Sequence, residues 1–361
     1  MRYYMKKFGF EHSFLADLQK VQPEVRSLVN RPGGLSEEKL LHLLVDPQDH
    51  TVPVPVPVRD AFVKFYHDKI DYYAEIGEES LHKKEVAYCI LAGGAGTAVS
   101  GAKALLKIPE LDMSLLTLKI FQAIGEGPIW IFTSPALRMQ IEDHVSLLTG
   151  IDHSRIHYLE QFESYRLTPD NRIIFKDNKP DLYPCGHGDL FPVLTCNEIY
   201  SNFISSGGKY VYVVNVDNVF ASLDAAILGH HIDTNARVSC EVVKRKENEY
   251  GGVLVDSAEG VQIAELFRVN ELDLAQFTWL STNSYIFNTD INVSALGKTW
   301  HRTKKTIDNR IVIQHERLIQ EITLAYDTSF VGISRPERFM PIRDLDDLNI
   351  VRKIVDLNWK L

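Results

Sequence analysis

Two textures of apolar and polar positions alternate along the chain. Short, nearly unbroken apolar runs end in glycine or in small polar residues: "VAYCILAGG" (86–94), "GPIWIFTSP" (127–135), "IHYLEQF" (156–162) and "YVYVVNVDNVF" (210–220). Runs of this length and composition predict strands buried on both faces. Between them lie stretches whose apolar residues recur every three or four positions: "RDAFVKFYHDKIDYYAEIGEESLHK" (59–83), "MSLLTLKIFQAIG" (113–125) and "ALRMQIEDHVSLLTG" (136–150). That spacing predicts amphipathic helices. The alternation of strand and helix predicts an α/β fold, with a mostly parallel sheet flanked by helices. In such sheets ligands bind beyond the carboxyl ends of the strands. Both "LAGG" and "VNVDN" sit at such ends.

Outside this region the texture differs. Residues 1–50 are polar and helix-like, and in "LSEEKLLHLL" Ser36 followed by Glu37 and Glu38 resembles a helix start. "TVPVPVPVRD" (51–60) cannot be a central strand, because proline cannot donate to a ladder. An extended connector laid against the body is expected there. "ARVSCEVVKRKENEYGGVLVDSAEGVQIAELF" (236–267) reads as strands joined by turns, consistent with antiparallel additions to the sheet.

Composition narrows the class. The chain has 361 residues, 45% of them hydrophobic, and a net charge of −9. That length suits one large domain or a few small ones, with a core that needs no disulfide staples. The acidic balance argues against a broad nucleic-acid footprint. Four cysteines stand at 89, 185, 196 and 240 with no CxxC pair, so neither a zinc site nor a redox dithiol is suggested and a reducing cytoplasm is expected. The N-terminal residues lack the apolar core of a signal peptide, and no apolar run reaches the roughly 18–20 residues of a membrane span.

The glycine-rich stretch "LAGGAGTAVSGAK" (91–103) almost spells a P-loop, but Ala102 separates Gly101 from Lys103 and Ala104 stands where a magnesium-binding hydroxyl belongs. It does not fit GxGxxG either. Its backbone amides can still form a nest that favours anions, with Lys103 or Lys107 supplying positive charge. A tight turn between strand and helix is the plainer reading. In "VNVDN" Asp217 is well placed to hold Mg²⁺ against phosphates, or to cap the next helix. "YPCGHGDLF" (183–191) reads as a binding loop or a plain turn. "YGG" (250–252) is a hairpin turn or a close backbone approach. "HRTKKT" (301–306) reads as a solvated face, and "GHH" (229–231) as structural. No serine or cysteine stands in a nucleophile elbow.

Taken in order, these motifs resemble one family, the eukaryotic-type nucleotide-sugar pyrophosphorylases that act on UTP and sugar 1-phosphates. "LAGGAGT" is similar to the family's LxGGxGT loop, "LEQF" to its FxQ segment, "PCGHGDLF" to PPGHGDIY, "VNVDN" to NxDN and "EYGGVLV" to its KGG turn. "FNTD" is similar to FNTNN, "IQHE" to IQLE and "RPERFMPIRDLDDL" to RxRFxPVKxxxDL. The resemblance covers residues 85–350. It implies an N-terminal helical region (1–84), a Rossmann-like nucleotidyltransferase catalytic domain (85–350) and a short tail (351–361).

The implied reaction transfers UMP from UTP to a sugar 1-phosphate or related small phosphate, releasing pyrophosphate. Gly93, Gly94, Gly96 and Thr97 would approach the nucleotide, with Gln161 and Gly188 reading the uracil edge. Asp217 would bind Mg²⁺. Gly252, Gln262 and Asn288 would lie near the sugar. Lys103 and Arg343 would neutralise the reacting phosphates, helped by Lys304 or Lys305. No nucleic acid and no membrane are expected as partners, and the resemblance leaves the oligomeric state open.

The chain departs from the family's pattern in four places. Arg343 stands where the family has a lysine, and Gln262 where it has a glutamate. The segment "TAVSGAKA" lacks the family's arginine and leucine-glycine. The sequence ends at Leu361, where a C-terminal β-helix domain is not expected. Two other readings share these motifs. A catalytically weak binder of UTP or UDP-sugar would not turn over pyrophosphate. A UDP-sugar-dependent glycosyltransferase would transfer sugar without it.

Overall fold

The computed structural model describes residues 11–45, 51–52, 55–94, 102–247, 249–269 and 274–358. The chain divides into two compact units. One is built from residues 1–50, 160–197 and 293–319, the other from 51–159, 198–292 and 320–361.

The larger unit holds an eleven-stranded sheet. Its strands are β1 (Val56–Pro57), β2 (Val63–Lys64), β3 (Val86–Leu91), β4 (Ile129–Thr133), β5 (Ile156–Glu160), β6 (Tyr210–Asn215), β7 (Val238–Lys244), β8 (Gly252–Asp256), β9 (Gln262–Glu265), β10 (Trp279–Asn288) and β11 (Thr328–Gly332). The order across the sheet is β2-β11-β7-β10-β6-β3-β4-β5, with β8 off this path pairing β1, β9 and β10. The β2/β11, β11/β7, β6/β3 and β3/β4 pairs are parallel, while β10 runs antiparallel to both its neighbours. The result is the mixed, mostly parallel sheet expected from the alternating pattern. All six residues of β3 and all five of β4 are buried. The Val-Pro segment contributes the short strand β1, paired antiparallel to β8 alone. Proline is tolerated on such an edge.

Helices cover the sheet, among them α1 (Ile70–His82), α2 (Leu115–Phe121), α3 (Pro135–Ser146) and α4 (Ala225–Asp233). Helices α1 and α4 cross at two glycines. A Cβ on Gly77 would stand 1.9 Å from the Ala225 carbonyl oxygen, and one on Gly229 would stand 1.7 Å from that of Tyr73. Only glycine permits this backbone-on-backbone approach.

The smaller unit carries the expected N-terminal helices Glu11–Leu18, Pro23–Val29 and Glu37–Val45. It also holds a hairpin of strands His301–Ile307 and Arg310–Glu316, turned by Asp308 and Asn309 with φ of 49° and 60°. These residues tolerate left-handed backbone, which such two-residue turns require. The "GHGD" segment forms a 3₁₀ turn, His187–Asp189, that leads into the helix Leu190–Thr195.

Candidate active site

In the larger unit the chemistry gathers where β3 and β6 end. These strands pair in parallel with Asn215 opposite Leu91, so the glycines after β3 and Asp217 after β6 leave the sheet side by side. A Cβ on Gly94 would meet nothing within 4 Å, so no protein neighbour demands glycine there. Gly93 is half-buried beside it. Gly96 and Thr97 lie outside the described residues. Lys103 returns from the loop to place its Nζ 2.8 Å from Asp217 Oδ2, with about a fifth of each side chain exposed. The lysine and the carboxylate singled out in the sequence therefore meet. Asp217 does not cap the next helix. That is done by Asp224, whose Oδ1 accepts from the Ile227 amide.

The loop after β6 is held from three sides. The Asp217 carbonyl accepts from the Ile342 amide at 2.9 Å. Asn218, 1% exposed, accepts from the Met340 amide and donates to the Arg338 carbonyl, so the loop is stapled to the segment leading to Arg343. Lys119 of α2 is fully buried, and its ammonium donates to Gln122 Oε1 and to the carbonyls of Val219 and Ala221. All three of its donors are thereby used. Burial holds its pKa well below the ordinary lysine range. Arg338 is buried too, and bonds Glu241, Asp224, Tyr212 and the Ser222 carbonyl. Neither residue was singled out from the sequence. The signal was a lysine inside the apolar helix run "LLTLKIF".

Arg343 sits at the end of the stapled segment. Its side chain is about half exposed and reaches Glu249 at 3.4 Å. Its amide donates to Asp347 Oδ2.

Two of the residues expected near the sugar lie away from the end of β6. Asn288 pairs with Tyr210, the first residue of β6, whereas Asp217 follows the last. The two are separated by the length of a six-residue strand, roughly 17 Å at 3.3 Å per residue. Asn288 Oδ1 is engaged by His231 Nε2 at 2.7 Å. The asparagine beside the end of β6 is Asn283, whose Nδ2 donates to Asn215 Oδ1 at 2.9 Å. The ladder between β7 and β10 slips there: Cys240 faces Tyr285 but Val242 faces Ser281, and Asn283 takes φ of 60°. This bulge turns its side chain out of the sheet.

Gln262 lies at the end of its hairpin away from Gly252. It pairs with Val255, is 1% exposed, and donates to Ser257 and Glu259 near the hairpin turn. The residue opposite Gly252 is Glu265, whose Oε1 accepts from Gln320 at 2.7 Å. A Cβ on Gly252 would lie 3.8 Å from both Glu265 Oε1 and Ser281 Cβ, so the hairpin leads from Glu265 toward Asn283. "VQIAEL" therefore retains a carboxylate three residues beyond Gln262.

In the smaller unit, Gln161 is buried and donates from Nε2 to the Gly186 carbonyl at 2.9 Å, leaving its Oε1 buried without a partner. An acceptor so placed suits the N–H edge of a base. Gly188 is explained by packing: its amide donates to the Arg317 carbonyl, and a Cβ would stand 2.5 Å from the Leu318 nitrogen. Its N–H is not free to read a base. His187 Nδ1 accepts from the Ile319 amide at 2.9 Å, and burial pushes its pKa down to about 4. Asp189 bonds Arg317 and the Phe162 amide, and burial raises its carboxyl to about 7. Lys304 and Lys305 are adjacent on an exposed strand and point to opposite faces. Lys305 pairs with Glu316, and its charge reaches His187.

Among the described residues no group of three His, Cys, Asp or Glu side chains could cage a metal. One carboxylate is nevertheless what Mg²⁺ commonly uses when substrate phosphates supply the rest. Asp217 fits that role. No described helix is long and apolar enough to cross a membrane.

The family model described as UTP–glucose-1-phosphate uridylyltransferase matches residues 57–357. The probable UTP–glucose-1-phosphate uridylyltransferase of Schizosaccharomyces pombe is 30% identical over 187 residues, covering 47% of this chain and 37% of the relative. The enzyme of that name from Astragalus penduliflorus is 26% identical over 288 residues, covering 73% and 60%. The chain thus spans less than two thirds of the length of these curated relatives. Among solved structures, a variant of UDP-glucose pyrophosphorylase from Leishmania major in complex with UDP-glucose superposes with a TM-score of 0.73 at 17% identity, covering 93% of this chain and 79% of that one. The UDP-N-acetylglucosamine pyrophosphorylase of Trypanosoma brucei, in complex with an inhibitor, gives 0.73 at 17%, covering 95% and 80%. These likenesses establish the shared fold.

Proposed function

We propose, for a chain that belongs to the UTP–glucose-1-phosphate uridylyltransferase family, that it transfers UMP from UTP to a sugar 1-phosphate. An oxygen of the sugar phosphate attacks the α-phosphorus of UTP. The bond from that phosphorus to the bridging oxygen of the β-phosphate breaks, and pyrophosphate leaves with the electron pair. The observation that carries this reading is the Lys103–Asp217 pair at 2.8 Å, set beyond parallel strands next to a glycine turn.

This chain's residues act by position and charge. The Gly93–Gly94 backbone lets the phosphates approach closely. Lys103 offsets negative charge that builds on them, and Arg343 supplies a second cation. Arginine binds phosphate through a planar fork rather than a point charge. Mg²⁺ held by Asp217 would supply further neutralisation of the phosphate oxygens. Gln161 Oε1 would accept from the uracil ring N–H. On the acceptor side Asn283 and Glu265 stand in place of Asn288 and Gln262, with Gly252 between them. Glu265 would accept hydrogen bonds from sugar hydroxyls. Glucose 1-phosphate and N-acetylglucosamine 1-phosphate are the acceptors to try first, given the activities named for the relatives.

The test is pyrophosphate release by purified protein with Mg²⁺, each of the four NTPs and a panel of sugar 1-phosphates. Release is expected to need UTP together with one sugar phosphate. It should vanish in Asp217→Ala and fall strongly in Asn283→Ala, while Asn288→Ala keeps its turnover per folded molecule. Silence across the panel would overturn the reading. Loss of turnover in Asn288→Ala but not in Asn283→Ala would overturn the placement of the acceptor.

A further inference from the structure

The smaller unit contains a recess, with a volume of about 290 Å³, that the proposed reaction does not use. It lies against the back of the "GHGD" turn, where a Cβ on Gly297 would meet the Gly188 carbonyl oxygen at 3.0 Å. Its lining includes Lys39, Lys298 and Arg317, and glycines at 33 and 297 whose φ values are 88° and 61°. Arg317, only 3% exposed, is clamped by Asp189 through Nη1 at 2.9 Å and by the Gly33 carbonyl through Nη2 at 2.7 Å, and it stacks on Trp300 at 3.9 Å. Its Nε is buried and donates to nothing. A guanidinium carries five donors, and burying one unused is costly.

The two lysines add charge that no carboxylate offsets, although the Lys39 ammonium lies 5.8 Å from the centroid of the Trp300 ring. Among the described residues neither Lys39 nor Lys298 makes an ion pair. Partial burial and the charges of Arg317 and Lys298 hold the Lys39 pKa below the ordinary lysine range. Since Asp189 already answers Arg317, the recess carries two positive charges in excess. A volume of this size is at the small end for ligand pockets and too small for a nucleotide. Like charges brought together at one recess make it a favourable place for an anion.

The geometry points to a second binding site here, one that takes a phosphate group of a small molecule, with Lys39 and Lys298 matching its two charges and the buried Arg317 guanidinium behind them. The site stands on its own residues and does not depend on the reaction proposed above.

Cys196 offers a readout separate from activity. It lines the recess and is exposed, whereas Cys89, Cys185 and Cys240 are buried. Alkylation of Cys196 in the full chain is followed with inorganic phosphate, with glycerol 3-phosphate, and with chloride at matched ionic strength. Phosphate at ten times its Kd should slow labelling about tenfold, as simple occupancy requires. The Lys39→Ala/Lys298→Ala double variant alters two exposed side chains and should lose this protection, while Asp217→Ala, which disables the proposed catalytic site, should keep it. Protection by both phosphates identifies a terminal phosphate group as the ligand. Protection by inorganic phosphate alone identifies the free ion. Equal slowing by chloride, or full protection in the double variant, overturns the site.

Discussion

His231 gives a quantitative prediction about acid stability. It is 1% exposed, lies between Ser239 Oγ at 2.8 Å and Asn288 Oδ1 at 2.7 Å, and burial holds its pKa down to about 4. In the unfolded chain it titrates at the ordinary value near 6.5. Because the folded pKa is the lower one, the unfolded state takes up the proton first as pH falls. The stability this group contributes is fully present above about pH 6.5 and is lost between there and pH 4. Going from pH 7 to pH 5, the loss is about 2 kcal/mol for this residue. Asp189, raised to about 7, runs in the opposite direction over the same interval, and His187 and His315, held down to about 4, run with His231, so the whole-protein slope mixes them all. A comparison with His231→Gln removes that mixture. The variant should be less stable than the parent at pH 7, but the gap should narrow by about 2 kcal/mol at pH 5. Urea unfolding at fixed ionic strength reads the gap, and an NMR titration of the imidazole reads the folded pKa directly. A gap that stays constant, or an imidazole that titrates above pH 6, would refute the reasoning.

Two further outcomes follow from the geometry. Gly229→Ala should destabilise the chain by about 3 kcal/mol or more, because its methyl would meet the Tyr73 backbone and must force α1 and α4 apart; a thermal melt within a degree of the parent would show that the crossing is loose. Glu265→Gln should lower kcat/KM for the sugar phosphate roughly 10- to 100-fold by removing charge-assisted hydrogen bonds, while Gln262→Glu leaves it nearly unchanged. Steady-state kinetics with the acceptor varied distinguish the two, and equal effects would put the acceptor elsewhere.

Much of the sheet was legible in the sequence because its strands are buried on both faces, and a run such as "VAYCIL" has few other uses. Lys103 and Asp217 were legible for a related reason, since the ends of parallel strands are where such folds expose side chains. The proposed acceptor end was not. Asn283 and Asn288 lie in one strand of ten residues, and the slip opposite Glu241 that turns Asn283 outward leaves no trace in apolar periodicity. Gln262 and Glu265 are three residues apart in β9, hence on opposite faces, and only the pairing of Glu265 with Gly252 decides between them. The smaller unit was illegible as a unit because three distant segments build it, and local pattern carries no record of long-range assembly.

The hairpin β8–β9 shares one ladder pair with β10, Val253–Leu280, whereas β3, β4 and β6 are paired along their length. The hairpin is nonetheless built into the core, with Val253, Val255 and Ala264 fully buried. Truncating these buried apolar side chains should therefore cost folding stability, as it would in β3. An exchange of the proposed acceptor would therefore fall on side chains such as Glu265, which is only partly buried, and leave the hairpin's apolar frame in place.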